Sequence, residues 1–112
     1  MDNTTVSLTE LAATELAHAI AASSGRSAHT IWGGHGKQLR QTLIALKAGS
    51  GLAEHSSPGE ATLQVLKGRI TLRWETGSQA GSAGDFIPIP EVVHAVDALE
   101  DSVILLTVIK PH

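Results

Sequence analysis

The chain has 112 residues, of which 42% are hydrophobic and 17% charged; its net charge is −3, and it has no cysteine. A chain of this size and composition forms one folded domain with a single core, and without cysteine it has neither disulfides nor thiolate metal sites. The negative charge and the 3% aromatic content argue against a nucleic-acid surface, which needs basic residues or stacking side chains.

The N-terminal segment predicts a polar tail followed by one amphipathic helix. Ser7 and Glu10 form the S-x-x-E pattern of a capping box. Apolar residues then recur at helical spacing until Ser23-Ser24-Gly25, which predicts a helix over about 8–22; they are Leu8, Leu11, Ala12, Leu16, Ala19 and Ile20. Residues 1–25 are therefore interpreted as tail and helix, and 26–112 as the main body of the same domain.

After Gly25 the pattern changes to short apolar runs separated by glycine turns. The segment 69–75 alternates, so that Ile70, Leu72 and Trp74 are expected to face inward. Segment 77–84, rich in Gly, Ser and Ala, is predicted as a surface loop. The other predicted strands are 28–32, 38–47, 61–66, 86–89, 92–98 and 102–109, with a hairpin turn at 33–36. Many short strands and one helix indicate a β-sandwich or barrel.

Two segments containing histidine stand out by their spacing. Gly49 is followed by five residues and His55, and Gly68 closes the next strand pair. Later, Gly84 is followed by five residues and Pro90, and then by His94. This arrangement resembles the two signature motifs of the cupin family. The resemblance implies an all-β fold, a cupin-type double-stranded β-helix or jelly-roll barrel with one N-terminal α-helix.

The same resemblance implies a metal site with departures from the family pattern. His55 and His94 stand at two of the four usual ligand positions, but Ser57 and Ala61 occupy the other two. Glu60 lies one residue before the usual glutamate position, and the Pro-Gly pair ahead of it would have to turn it inward. The implied ligand set is His55, Glu60 and His94, which suits one divalent ion such as Zn, Fe, Mn, Ni or Cu.

The sequence is compatible with two functions. The first is a small-molecule-binding cupin, with His55, His94, Gln64 and Trp74 as ligand-binding residues. The strand parity around Gln64 is ambiguous, because Leu63 and Val65 compete with it for the inside. The alternative is a metal-dependent enzyme of the dioxygenase or isomerase type, using His55, His94 and arguably Glu60. The absence of tyrosine and cysteine leaves few other acid–base or nucleophilic groups.

The expected setting is a cytoplasmic homodimer that binds a small molecule and neither nucleic acid nor membrane. No segment approaches the roughly 18 apolar residues of a membrane span. The strand 102–109 is apolar on both faces, which predicts either a central strand or a subunit contact, unless the N-terminal helix covers it. Arg40 lies on an otherwise apolar strand and is expected to be solvated.

Overall fold

The structure is a computed structural model, and it describes residues 4–56 and 59–109. Within those residues, one helix precedes nine strands. In chain order they are α1 (Leu8–Ala21), β1 (Arg26–Trp32), β2 (Leu39–Leu46), β3 (Gly51–His55), β4 (Ala61–Lys67), β5 (Arg69–Trp74), β6 (Gly77–Ser82), β7 (Phe86–Pro88), β8 (His94–Ala98) and β9 (Ser102–Ile109).

The strands form two antiparallel sheets that face each other across the main core. Sheet A has the order β1-β2-β9-β4-β7, and sheet B has the order β3-β8-β5-β6. The side chains between the sheets are aliphatic, as the low aromatic content requires; they include Ile44, Leu46, Leu63, Val65, Ile70, Leu72, Val96 and Ile104. The predicted all-β barrel with a single N-terminal helix is confirmed.

Helix α1 begins as its capping pattern predicts and covers the outer face of sheet A. Ser7 Oγ accepts a hydrogen bond from the Glu10 N–H at 3.2 Å. Leu16 and Ala19 pack in a second cluster of buried side chains with Leu43, Ala45 and Val103 of sheet A. The buried carboxylate of Glu15 accepts a 2.5 Å hydrogen bond from the Ser27 hydroxyl, which ties the helix to β1.

Strand β9 is the central strand of sheet A, paired with β2 on one side and β4 on the other. Its two apolar faces are both used within the chain: Ile104 packs between the sheets, and Val103 packs under α1. Of the alternatives that the sequence left open for 102–109, the central strand is therefore the one observed. Helix α1 covers Val103 on the outer face, so this part of β9 is not available to a subunit contact.

The prediction of a loop over 77–84 is wrong, because residues 77–82 form the edge strand β6. It pairs with β5 continuously, from Trp74 opposite Gly77 to Arg69 opposite Ser82. The small residues reflect packing rather than a loop. A Cβ on Gly81 would lie 2.9 Å from Ile87 Cδ1 and 3.1 Å from Val65 Cγ2, so the two sheets approach too closely there for a side chain.

Within residues 4–56 and 59–109, no helix has the length and apolar character needed to cross a membrane.

Candidate functional site

Four residues form a continuous row across sheet B at one end of the barrel. His55 lies opposite His94, His94 opposite Trp74, and Trp74 opposite Gly77. Directly opposite residues of an antiparallel pair project to the same face of the sheet. Val96 continues the same face of β8 and is buried in the core between the sheets. The row therefore lies on the inner wall of the barrel.

A β-bulge in β3 is what turns His55 toward the inner wall. Leu52 pairs with Val96 and His55 pairs with His94, so three residue steps along β3 match two steps along β8. On a regular strand, side chains three residues apart point to opposite faces. The extra residue of the bulge puts Leu52 and His55 on the same face, and both face inward. The alternation of side chains along the sequence does not reveal this bulge.

The two imidazoles contact each other and are held by the backbone. Their ring centroids are 4.5 Å apart in an edge-to-face arrangement with an interplanar angle of 61°. His94 is 2% exposed, whereas His55 is exposed at the end of β3. In each ring Nδ1 lies 2.8 Å from the carbonyl oxygen two residues earlier, Ala53 for His55 and Val92 for His94.

These backbone contacts fix the tautomer of both histidines. A carbonyl oxygen can only accept a hydrogen bond, so Nδ1 must carry the proton in each ring. In the neutral form, Nε2 is then the unprotonated nitrogen of both His55 and His94, and it is the atom that can accept a hydrogen bond or bind a metal. The structure thus brings together two imidazoles of the same tautomer, one buried and one accessible.

Trp74 separates two cavities beside this row. The first, of about 520 Å³, is bordered by Trp74 and His94 together with Glu54, Arg73 and Glu75. The second, of about 540 Å³, opens between the edge strands β6 and β7 and is mainly apolar; besides Trp74, it is lined by Gln79, Phe86, Ile87, Ile89 and Pro90. The indole of Trp74 would therefore form the apolar wall of a binding site beside the histidines.

The position of the indole depends on the glycine opposite it. A Cβ on Gly77 would lie 2.9 Å from Trp74 Cζ2, so Gly77→Ala must displace the ring. Since the contact is with a side chain, we expect a cost in stability of about 1 kcal/mol or less. The indole N–H signal of Trp74 in an NMR spectrum should shift, while that of Trp32 stays in place as an internal control. Unchanged Trp74 signals, as expected for the control Ser78→Ala, would contradict this packing.

Gln64 and Glu60 are not brought to the histidine row. Gln64 lies between Leu63 and Val65, which are buried between the sheets, so its side chain is on the opposite face of β4. Glu60 is exposed, and its backbone carbonyl accepts a 3.1 Å hydrogen bond from the Ile109 N–H. Ser57, which stands at a third expected ligand position, lies outside the described residues.

The part of the chain that the structure describes does not fit a complete metal centre. In 4–56 and 59–109 there is no cluster of three or more His, Cys, Asp or Glu residues placed to hold an ion. The inner position at the start of β4 is occupied by Ala61, which is buried and has no donor atom. Two imidazoles fall short of the three protein ligands that a catalytic zinc site uses.

The outer face of sheet B carries the charges that border the first cavity. Arg73 Nε lies 2.6 Å from a carboxylate oxygen of Asp97. The hydrogen bond to Asp97 raises the pKa of the Arg73 guanidinium, and the charges of Asp97 and Glu54 raise it further. Both partners are about half exposed, so this pair contributes little to stability. It fixes a permanent cation at the edge of the cavity.

The fold is found in several solved structures. A conserved protein of unknown function from Streptococcus pyogenes is 27% identical, with a TM-score of 0.71 over 81% of this chain and 79% of that chain. A cupin superfamily protein from Desulfitobacterium hafniense is 13% identical, with a TM-score of 0.76 over 99% of this chain and 94% of that one. Salicylate 1,2-dioxygenase from Pseudaminobacter salicylatoxidans is 17% identical, with a TM-score of 0.72 over 88% of this chain but only 33% of the enzyme.

These likenesses show that the chain has the fold of small RmlC-like cupin proteins, as its two histidine motifs predict. No protein-family model matches the sequence, and no curated protein matches it either. The likeness to the dioxygenase is one of fold.

Proposed function

We propose that this cupin binds a small molecule at the histidine row, between His55, His94 and Trp74. The observation that carries the proposal is the shared tautomer of the two imidazoles. Both rings are anchored through Nδ1, so both present Nε2 as an acceptor at the same end of the barrel. Two histidines that only fill space in a core would not need to present Nε2 at the same end of the barrel.

The surroundings indicate what kind of molecule the row would accept. An unprotonated Nε2 can only accept a hydrogen bond, so it favours a ligand with a hydroxyl or amine hydrogen to donate. The indole of Trp74 and the apolar cavity beside it favour a ring or another flat apolar portion next to that donor. A compact molecule with a polar group at one end and an apolar body satisfies both.

A metal-dependent enzyme is the second candidate, favoured by one observation. Metal-ligating histidines characteristically donate their other ring nitrogen to a carbonyl, as His55 and His94 do. The salicylate 1,2-dioxygenase with this fold shows that enzymes of that type use the same architecture. The shortage of metal ligands argues against an enzyme of this kind. Glu60 is exposed, and no third ligand joins the two histidines among residues 4–56 and 59–109. Binding without catalysis is therefore the function we favour.

The proposal is tested by a fragment screen read out by NMR. We expect fragments that combine a ring with a hydroxyl or amine to shift the indole N–H signal of Trp74, which a spectrum of Trp74→Phe identifies. His94→Ala should weaken such binding about tenfold, the value of one hydrogen bond of about 1.4 kcal/mol. The matched control is His29→Ala, an exposed histidine on β1. Fragments that bind His94→Ala as tightly as the parent chain would contradict the site.

We also propose that the protein is a cytoplasmic homodimer. The cysteine-free sequence is compatible with a reducing compartment. A dimer would have to use a surface other than β9, such as an exposed edge strand of either sheet.

A further inference from the structure

We infer that Arg40 binds an anionic group of the ligand, so that the molecule taken up by the barrel is a small organic carboxylate. This inference rests on the proposed function, and it adds the charge of the ligand. Arg40 is a cation on the inner face of sheet A, at the same end of the barrel as the histidine row.

The strand register places Arg40 on the inner face. It has the same parity on β2 as Ile44 and Leu46, which are buried between the sheets. It pairs with Val108, and Val108 pairs with Ala61, so these three residues form a row across sheet A. Val108 packs against the core between the sheets, and Ala61 is buried in it. The side chain of Arg40 therefore leaves the strand on the barrel side, at the rim, where it is exposed as the sequence predicts.

The connections place this row at the histidine end. The chain passes directly from His55 at the end of β3 to Ala61 at the start of β4. It passes likewise from the end of β7 to His94 at the start of β8, and the Ile89 N–H on the way donates a 3.0 Å hydrogen bond to the Ala61 carbonyl. The row containing Arg40 and the row containing both histidines are therefore at the same mouth of the barrel.

The order of the sheets places Arg40 across the barrel from the histidines. The edge strand β6 of sheet B contacts β7 and β4 of sheet A, so the sheets meet at that edge. From this edge, the strand order is β7, β4, β9, β2 in sheet A and β6, β5, β8, β3 in sheet B. Strand β2 therefore lies across from β3 and β8. A ligand held at Nε2 of His55 or His94 thus has Arg40 on its far side.

Arg40 has no carboxylate partner within the described residues. The ion pairs found there join Glu15 to His18 and Arg73 to Asp97. No inward-facing position of the described strands carries Asp or Glu; the carboxylates at this end, Glu54, Glu60, Glu75 and Glu91, are exposed around the mouth. Beside Arg40, the hydroxyls of Thr30 and Thr42 lie 3.4 Å apart, and they supply further donors. This combination of a guanidinium and hydroxyl donors suits a carboxylate.

The inference is tested with two probes of similar shape and different charge, 4-hydroxybenzoate and 4-hydroxybenzyl alcohol, titrated while the Trp74 indole signal is followed by NMR. Both carry a phenol hydroxyl that can donate to Nε2, and we expect 4-hydroxybenzoate to bind the parent chain about tenfold or more tightly, as a charge-assisted hydrogen bond provides. Arg40→Gln should remove that advantage, and Arg40→Lys should keep part of it. The matched control, Arg69→Gln, changes an exposed arginine at the other end of β5 and should leave both affinities unchanged.

The outcomes separate this inference from the proposed function. Equal affinity of 4-hydroxybenzoate for the parent chain and for Arg40→Gln would overturn the role of Arg40. If 4-hydroxybenzyl alcohol still bound and lost affinity in His94→Ala, the histidine site would stand without it. If neither probe shifted the Trp74 signal of the parent chain, both the site and its anionic ligand would be overturned. Circular dichroism of Arg40→Gln and Arg40→Lys would verify that each variant folds.

Discussion

Gly68→Ala should destabilise the domain by about 2–4 kcal/mol, because it combines a disfavoured backbone conformation with a steric clash. Gly68 has φ of +82°, in the left-handed region that a Cβ disfavours. An added Cβ would lie 2.4 Å from the Asp101 carbonyl oxygen and 2.8 Å from Ser102 Cα, and backbone atoms cannot move aside cheaply. The free energy of unfolding, measured by urea denaturation with circular dichroism, checks the expectation.

Gly84→Ala is the matched control for this effect. Gly84 also has a left-handed φ, +96°, but nothing lies within 4 Å of the position of its Cβ. It should therefore show the conformational cost alone, about 1–2 kcal/mol. The difference between the two variants measures the contact with the turn that leads into β9. Equal losses would show that the approach of Gly68 to residues 101 and 102 contributes nothing.

Ala61→Glu should raise the affinity of the protein for Zn²⁺. Ala61 faces the inside of the barrel at the mouth shared with His55 and His94, so a carboxylate there is placed to join the two imidazoles as a third ligand. We expect Zn²⁺ to bind at least about tenfold more tightly than to the parent chain, a gain of ~1.4 kcal/mol. Isothermal titration calorimetry measures it, and added Zn²⁺ should raise the Tm of the variant more than that of the parent.

Two further variants separate coordination from a general effect of charge. Ala61→Gln has nearly the same shape without the carboxylate, and it should bind Zn²⁺ as the parent chain does. Ala61→Glu combined with His94→Ala should lose the gained affinity, because only one imidazole remains. If Zn²⁺ bound equally to Ala61→Glu and Ala61→Gln, position 61 would not share a site with the histidines.

The motif glycines explain why the fold was predictable from the sequence. Gly49, Gly68 and Gly84 all adopt positive φ angles, between +82° and +96°. Each is required by local backbone geometry, so its place in the sequence marks a turn whatever surrounds it. The same holds for α1. Its capping residues and apolar spacing predict a helix over about 8–22, and the observed helix runs from Leu8 to Ala21.

The site was predictable only in part, because several of its features depend on pairing between strands. The spacing of the motifs pointed to His55 and His94, which lie opposite each other. Strand β6 was missed because its glycines and serines resemble a loop, and pairing with β5 overrides that preference. The barrel side of β2 was not predictable because apolar residues occupy both of its faces; Arg40 shares the parity of Ile44 and Leu46, which the structure buries between the sheets.

The bulge in β3 lets the paired histidine site tolerate a change in chain length. Deleting either Ala53 or Glu54 would leave the histidine two residues after Leu52, so it would stay opposite His94 and face inward on a regular strand without the bulge. Related sequences could therefore carry the same histidine pair with one residue fewer in this edge strand. In an alignment, the pairing of the histidine with the position of His94 would identify such a site better than a fixed number of residues after Leu52.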